Sequence, residues 1–206
     1  AWDLSKGKFG PFGGQMFIGD QTLSTLVRVA SERVGETDQG TMILFARKLA
    51  SGVMRPCFLP DGSLLLGQTG RGWRANGGKE ASLQRIIADP SVTAADLKSI
   101  ETTKTGFMLH LTTPLAAAVT PESLLPKIQI DSWTYTDAVT YGSGENEKRK
   151  NAIASLSISS DRKSASLVLP EFATPASMLH RIHRLTVDDA AALFAPAVAR
   201  PQLEAY

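Results

Sequence analysis

An all-β fold in two parts is what this sequence predicts. Three observations carry the expectation. Short apolar runs are separated by turns rich in glycine and proline, one order of strand types occurs twice in the first half, and the pattern changes after Asp89-Pro90. Short runs of β-branched and aliphatic residues between turn signals read as strands. The expected division places one domain at residues 1–92 and a second at 93–206.

The elements follow in order. Gly13-Gly14 precedes the run Gln15 to Gly19. Next come Leu23 to Val29, in which Leu23, Thr25, Val27 and Val29 share one face at period two, and then Thr41 to Phe45. Val53 to Leu59 and Leu64-Leu65-Leu66 flank Pro60-Asp61-Gly62-Ser63, where proline presets φ and glycine supplies a positive one. A loop holding Gly67, Gly70, Gly72, Gly77 and Gly78 leads into Ser82 to Ala88. Beyond it, further strands are expected at Leu97 to Ile100, Phe107 to Leu111, Ile128 to Tyr135, Ile153 to Ile158, Ala165 to Leu169 and Met178 to Val187. Thr120 to Leu125 has the cap, proline and acid of a single helical turn, and Asp188 to Phe194 reads as a short helix stopped by Pro196 and Pro201. The mixed-charge stretch around Lys148-Arg149-Lys150 reads as a solvated loop.

The order of these pieces repeats. GQMFIGD followed by STLVRVA is echoed by GSLLLGQ followed by SLQRIIA, and each second strand carries an arginine among apolar residues, Arg28 and Arg85. A spacing of roughly 45 to 55 residues is that of propeller blades, which cannot bury both faces alone. The fold class expected is therefore the terminal blades of a β-propeller followed by a small Ig-like β-sandwich, with the remaining blades coming from elsewhere in the protein or from a larger partner chain.

Composition narrows the function. Hydrophobic residues make up 43% and charged residues 20% of 206, and a net charge of +2 with scattered Lys and Arg argues against nucleic acid as a partner. No run is long enough for a membrane-spanning helix. The single cysteine, Cys57, between Pro56 and Phe58, reads as a small core residue and excludes a disulfide within the chain. The chain opens Ala1-Trp2-Asp3, which reads as a piece processed or cut from something longer. Phosphate-loop, dinucleotide, nucleophile-elbow and zinc-protease motifs are missing, and so is the C-x-x-C-H of covalent haem. His110, His180 and His183 are the only histidines, which leaves the first half without an imidazole for acid–base chemistry.

The segments GKFGPFGGQMFIGDQTLSTLVRV, SGVMRPCFLPDGSLLLGQTGRGW, GGKEASLQRI and TGFMLHLTTPL, with Tyr141-Gly142-Ser143-Gly144-Glu145, resemble the C-terminal half of large exported bacterial propeller proteins of the glucose/sorbosone-dehydrogenase-like, haem-binding-domain-associated kind. The resemblance covers roughly residues 6 to 170; the C-terminal stretch from Arg181 departs from it. It implies a propeller followed by a sandwich, a periplasmic or extracellular location, and a redox role on sugars or alcohols. It further implies pyrroloquinoline quinone (PQQ) or Ca²⁺ in the complete propeller and haem c on another module.

Within that frame the pointed candidate is the loop Gln68-Thr69-Gly70-Arg71-Gly72-Trp73-Arg74. Gln68 and Arg71 would approach an anionic cofactor, and Trp73 would stack on a quinone or sugar ring. The plainer reading pairs Arg71 with an acid of a neighbouring blade and packs Trp73 between blades. Asp20 and Gln21, at the exit of their strand, are candidate oxygen ligands for Ca²⁺, or else Asp20 caps the turn ahead of Thr22. Arg55 is expected in an inter-blade ion pair. The functional expectation is part of an exported dehydrogenase-like propeller in which this chain supplies closing blades and a rim loop. The alternative is a non-catalytic scaffold for polysaccharide or protein, with Trp73 or Trp133 against glycans.

Overall fold

The computed structural model describes residues 1–136, 142 and 144–172, together with the strands at 178–183 and 202–205 as backbone. The helix expected at Asp188 to Phe194, and Tyr141 and Ser143 of the segment Tyr141 to Glu145, lie outside the described residues. The chain separates into two compact units, Ala1–Glu101 with Val198–Tyr206, and Thr102–Ala197. The first unit thus runs past residue 92 and takes back the end of the chain.

The first unit holds two antiparallel sheets. One is β1 (Met16–Asp20), β2 (Thr25–Val34) and β3 (Thr37–Ala46), in that order. The other is β4 (Val53–Phe58), β5 (Leu64–Thr69) and β6 (Ala81–Ile87), completed at the β6 edge by β14 (Gln202–Ala205). Residues 1 and 2 run alongside β1 as β4 runs alongside β5: Trp2 bridges Met16, and Phe17 N donates to Ala1 O at 2.6 Å. The two sheets meet face to face over one core. Phe17 and Leu26 from the first join Val53, Leu64, Leu66 and Ile86 from the second, with Phe9 and Phe12 inserted from the glycine-rich turns before β1. Phe17 stands edge-on to Phe9 at 5.5 Å, to Phe45 at 5.1 Å and to Phe58 at 5.5 Å. Each such side chain contributes about 1.5–3 kcal/mol by burial, and each aromatic pair about 1 kcal/mol more. Gly19 lets the sheets close, because a Cβ there would strike the Val53 side chain and carbonyl.

The internal repeat is kept residue by residue in the strand register. Met16, Phe17 and Ile18 pair with Val29, Arg28 and Val27. Leu64, Leu65 and Leu66 pair in the same way with Ile86, Arg85 and Gln84. The equivalence extends into the preceding turns, where Gly14 and Gly62 both take positive φ, at 82° and 90°. Arg28 reaches Gln15 Oε1 at 2.8 Å, and Arg85 reaches Ser63 Oγ, the equivalent position, at 2.8 Å.

Arg28 is the largest fully buried side chain among the described residues. Its guanidinium donates to Gln15, to Lys98 O at 2.8 Å, to Leu97 O and to Asp96 at 3.1 Å, and lies 4.4 Å over the Phe12 ring. Burial lowers its pKa from the ordinary guanidinium value, and the Asp96 charge opposes that shift. Two sequence expectations change here. The period-two face of Thr25, Val27 and Val29 is the half-open one, and Leu26, Arg28 and Ala30 are the buried set. Cys57 is exposed, because it pairs with Leu65 on the outward face while Phe58 pairs with Leu64 on the inward one.

The second unit is also antiparallel. β7 (Leu97–Thr103) carries the chain into it and pairs with β8 (Gly106–Leu111) in the sheet β11-β12-β8-β7, where β11 is Ser155–Ile158 and β12 Ser164–Val168. β9 (Gln129–Thr134) lies between β10 (Asn146–Asn151) and β13 (Met178–His183). Phe107, Leu109, Ile130, Ala165 and Leu167 are buried. The helical turn is α1 (Pro121–Leu124), in which Thr120 and Ser123 cap each other reciprocally before a 3₁₀ turn. Arg162 donates to the carbonyls of Leu115, Ala116 and Val119 at 2.9, 2.5 and 2.6 Å and pins that connection. The stretch around Lys148 is solvated as expected but is a strand, β10, paired to β9.

Candidate functional site

Three connections of the first unit converge at one end of the paired sheets: the β1–β2 turn, residues 47–52, and the β5–β6 loop. Backbone bonds lock them together. Asn76 N donates to Thr22 O at 2.9 Å, Leu49 N to Ser24 O at 3.1 Å, Lys79 N to Ala50 O at 3.1 Å, and Thr69 N to Gly52 O at 2.7 Å. Ser24, buried and at φ 53°, accepts from Gly77 N at 2.8 Å through its hydroxyl. Gly77 admits no side chain, since a Cβ would meet the Leu49 and Ala50 carbonyls. The β5–β6 loop is thus a fixed platform, tied across its base by Gly70 N to Glu80 O at 2.8 Å.

The side chains this platform carries are mostly cationic. Arg47, Lys48, Arg71, Arg74 and Lys79 are exposed, and none of them forms an ion pair among the described residues. The acids of the same connections are Asp20 and Glu80. Trp73 is 76% exposed and is held through its backbone, with its carbonyl accepting from Gln21 Nε2 at 3.2 Å. An open groove of about 1000 Å³ begins here between Asp20, Arg47, Lys48 and Asn76 and runs along the apolar residues Ile18, Val27 and Leu44.

The sequence candidates separate. Arg71 and Trp73 sit together on the exposed loop, and among the described residues Arg71 has no acid partner. Gln68 is turned into the core: its Oε1 accepts from Ser51 N at 2.9 Å and its Nε2 donates to Gln84 Oε1 at 2.7 Å. Alternation along β5 fixes this, since Leu64, Leu66 and Gln68 share the inward face. Asp20 caps its turn, accepting from Leu23 N at 2.8 Å. Arg55 is exposed, with its guanidinium near the Met54 carbonyl and no ion pair among the described residues. Trp133 is half-buried on β9.

Arg47 and Lys48 are not among the residues the sequence singles out, and Arg74 enters there only as the end of the candidate loop. The signal was present, as a basic pair at the exit of the third strand and an arginine beside Trp73, but only the folded turns bring them to one end.

The donor set suits an anion better than a cation. No grouping of three or more His, Cys, Asp or Glu side chains occurs among the described residues, and the Asp20 carboxylate shares its groove with Arg47 and Lys48. A carboxylate-bearing ring system is a chemical fit to several unpaired cations and an exposed indole. Comparison with protein-family models, curated proteins and solved structures finds no match to this chain.

Proposed function

We propose that this chain is the terminal propeller portion, followed by an Ig-like sandwich, of an exported dehydrogenase-like protein, and that the cationic end of its first unit receives an anionic ring-bearing ligand. The observation that carries the reading is the pairing of an in-register sheet repeat with a backbone-tied loop that carries Arg71, Trp73 and Arg74 at the same end of the sheets as the connection bearing Arg47 and Lys48. The sequence resemblance supplies the redox assignment, with oxidation of a sugar or alcohol as its class. The carboxylates at this end are Asp20, which caps its turn, and Glu80, and the redox reading places the hydride acceptor on a cofactor. PQQ, a polycarboxylate, has the chemistry the rim residues would hold: Arg71 and Arg74 toward carboxylates, Trp73 toward the ring.

A second reading has its own observation. Trp73, exposed for three-quarters of its surface on a backbone-anchored loop, equally suits stacking on a sugar. In that case the chain is a scaffold for acidic polysaccharide. Isothermal titration calorimetry at low salt separates the two. Binding of PQQ that weakens at least tenfold in both Arg71→Gln and Trp73→Ala supports the redox reading, since a charge-assisted contact is worth about 1.5–3 kcal/mol. Binding of acidic oligosaccharide alone supports the scaffold, and no heat with either ligand overturns both.

A further inference from the structure

The repeat makes the two sheets directional. In β1-β2-β3, the face of Phe17 and Leu26 looks toward the second sheet and is buried, and Arg28 on the same face is buried against Phe12, Gln15 and residues 96–98. The equivalent face of β4-β5-β6 is that of Leu65, Leu83 and Arg85, and it looks away from the first sheet, with Leu83 44% exposed. Conversely, Leu64, Leu66 and Ile86 are buried against the first sheet, while their equivalents Met16, Ile18 and Val29 lie on its outer face. The sheets are therefore stacked head to tail, one kind of face on the other kind. A two-fold sandwich would bury like faces on both sides.

Each chain thus contains one completed junction and one unused copy of each half of it. The unused half on the first sheet is apolar and open. Cross-strand rows bring Ile18, Val27 and Leu44 together, and Met16, Val29 and Met42 beside them; Ile18 is 40% and Met42 70% exposed. The groove of about 1000 Å³ runs along this face. Contiguous apolar surface on a sheet face of this kind marks an interaction site. The unused half on the second sheet matches, position for position, the residues that already cover such a face: leucine for Phe17, glycine for Gly19 and leucine for Leu26.

We infer that the outer face of β1-β2-β3 is a docking surface for a second copy of this chain, which seats the outer face of its own β4-β5-β6 sheet there. This rests on the propeller reading above, with a second copy of the chain, rather than other blades, as the source of the next sheet in the stack. The contact is heterologous: the two partners use different faces, so each added copy exposes the same free pair, and growth continues until a ring closes.

Sedimentation velocity across rising concentration tests it. Wild-type chain should associate. Ile18→Glu with Met42→Glu should weaken self-association at least tenfold, and so should Leu83→Glu alone. All three positions are exposed, and circular dichroism checks that both variants are folded. Mixing the two variants is decisive: each keeps one intact face, so they should form a one-to-one dimer that grows no further. A wild type that stays monomeric, variants that still associate singly, or a mixture that fails to pair would each overturn the inference. Ligand binding at Arg71 is read in a separate titration, so failure here leaves the rim reading standing, and failure there leaves this one.

Discussion

One repeat position holds two arginines with different energetics, and burial decides the difference. Arg28 is fully buried and satisfies Gln15, two backbone carbonyls and Asp96, although its Nε is left without a partner. Asp96 is 38% exposed, so its ion pair is discounted for solvent, and the buried hydrogen-bond acceptors dominate. Arg28→Met is expected to destabilise the first unit by about 3 kcal/mol, because Gln15 and the Leu97 and Lys98 carbonyls lose their donor. Arg85 instead pairs with Asp61 over an exposed turn. Arg85→Met is expected to cost less than about 1 kcal/mol. Urea denaturation of both variants measures the contrast, and equal losses would refute it.

Turns are where charge and local structure meet. Asp61 accepts from Ser63 N at 2.9 Å and Ser63 Oγ at 2.7 Å; Asp89 does the same with Ser91, and Asp161 accepts from Ser159 Oγ at 2.6 Å. These bonds hold all three carboxyls below the ordinary aspartate range, with the serine hydroxyl the largest cause in each and Arg85 adding to the effect at Asp61. A carboxylate whose folded pKa lies below its unfolded value stabilises the fold above that unfolded value, about 3.9. That contribution is lost as pH falls through the folded value. Stability carried by these turns should therefore be flat from neutral pH to about 5 and fall below about 4. In Asp61→Asn with Asp161→Asn the acid limb should flatten. A melting-temperature series against pH reads both, and an unchanged limb in the double variant would remove the turns as its cause. The Pro60–Ser63 turn was legible in the sequence because its chemistry is local. β10 was not, because Glu147, Lys148, Arg149 and Lys150 carry no apolar alternation and become a strand only through pairing with β9.

At the scale of the whole chain, legibility follows the same rule. The order of strands in the first half and the echo of GQMFIGD in GSLLLGQ were readable, since both depend on period and turn residues. Which face of β2 is buried was not, because apolar Val27 and Val29 line the half-open side and the charged Arg28 lies inside. The rim was half readable: Arg71 and Trp73 are neighbours in sequence, whereas Arg47 and Lys48 join them only through the bonds of Asn76 to Thr22 and Lys79 to Ala50. Least readable was the edge of the second sheet, completed by residues from the far end of the chain. β14 pairs with β6 in the register Gln202 to Ile87 through Ala205 to Gln84. Such an edge strand satisfies backbone groups that would otherwise template association. Deleting residues 198–206 should therefore open β6 while leaving the second unit, 102–197, intact. Hydrogen exchange is expected to lose protection at the β6 amides that face β14, with protection of β8 and β12 unchanged, and the truncated chain should aggregate on standing where the full chain does not. Retained β6 protection would mean that the sheet closes without its last strand, and loss of protection throughout would mean that the two units do not stand separately.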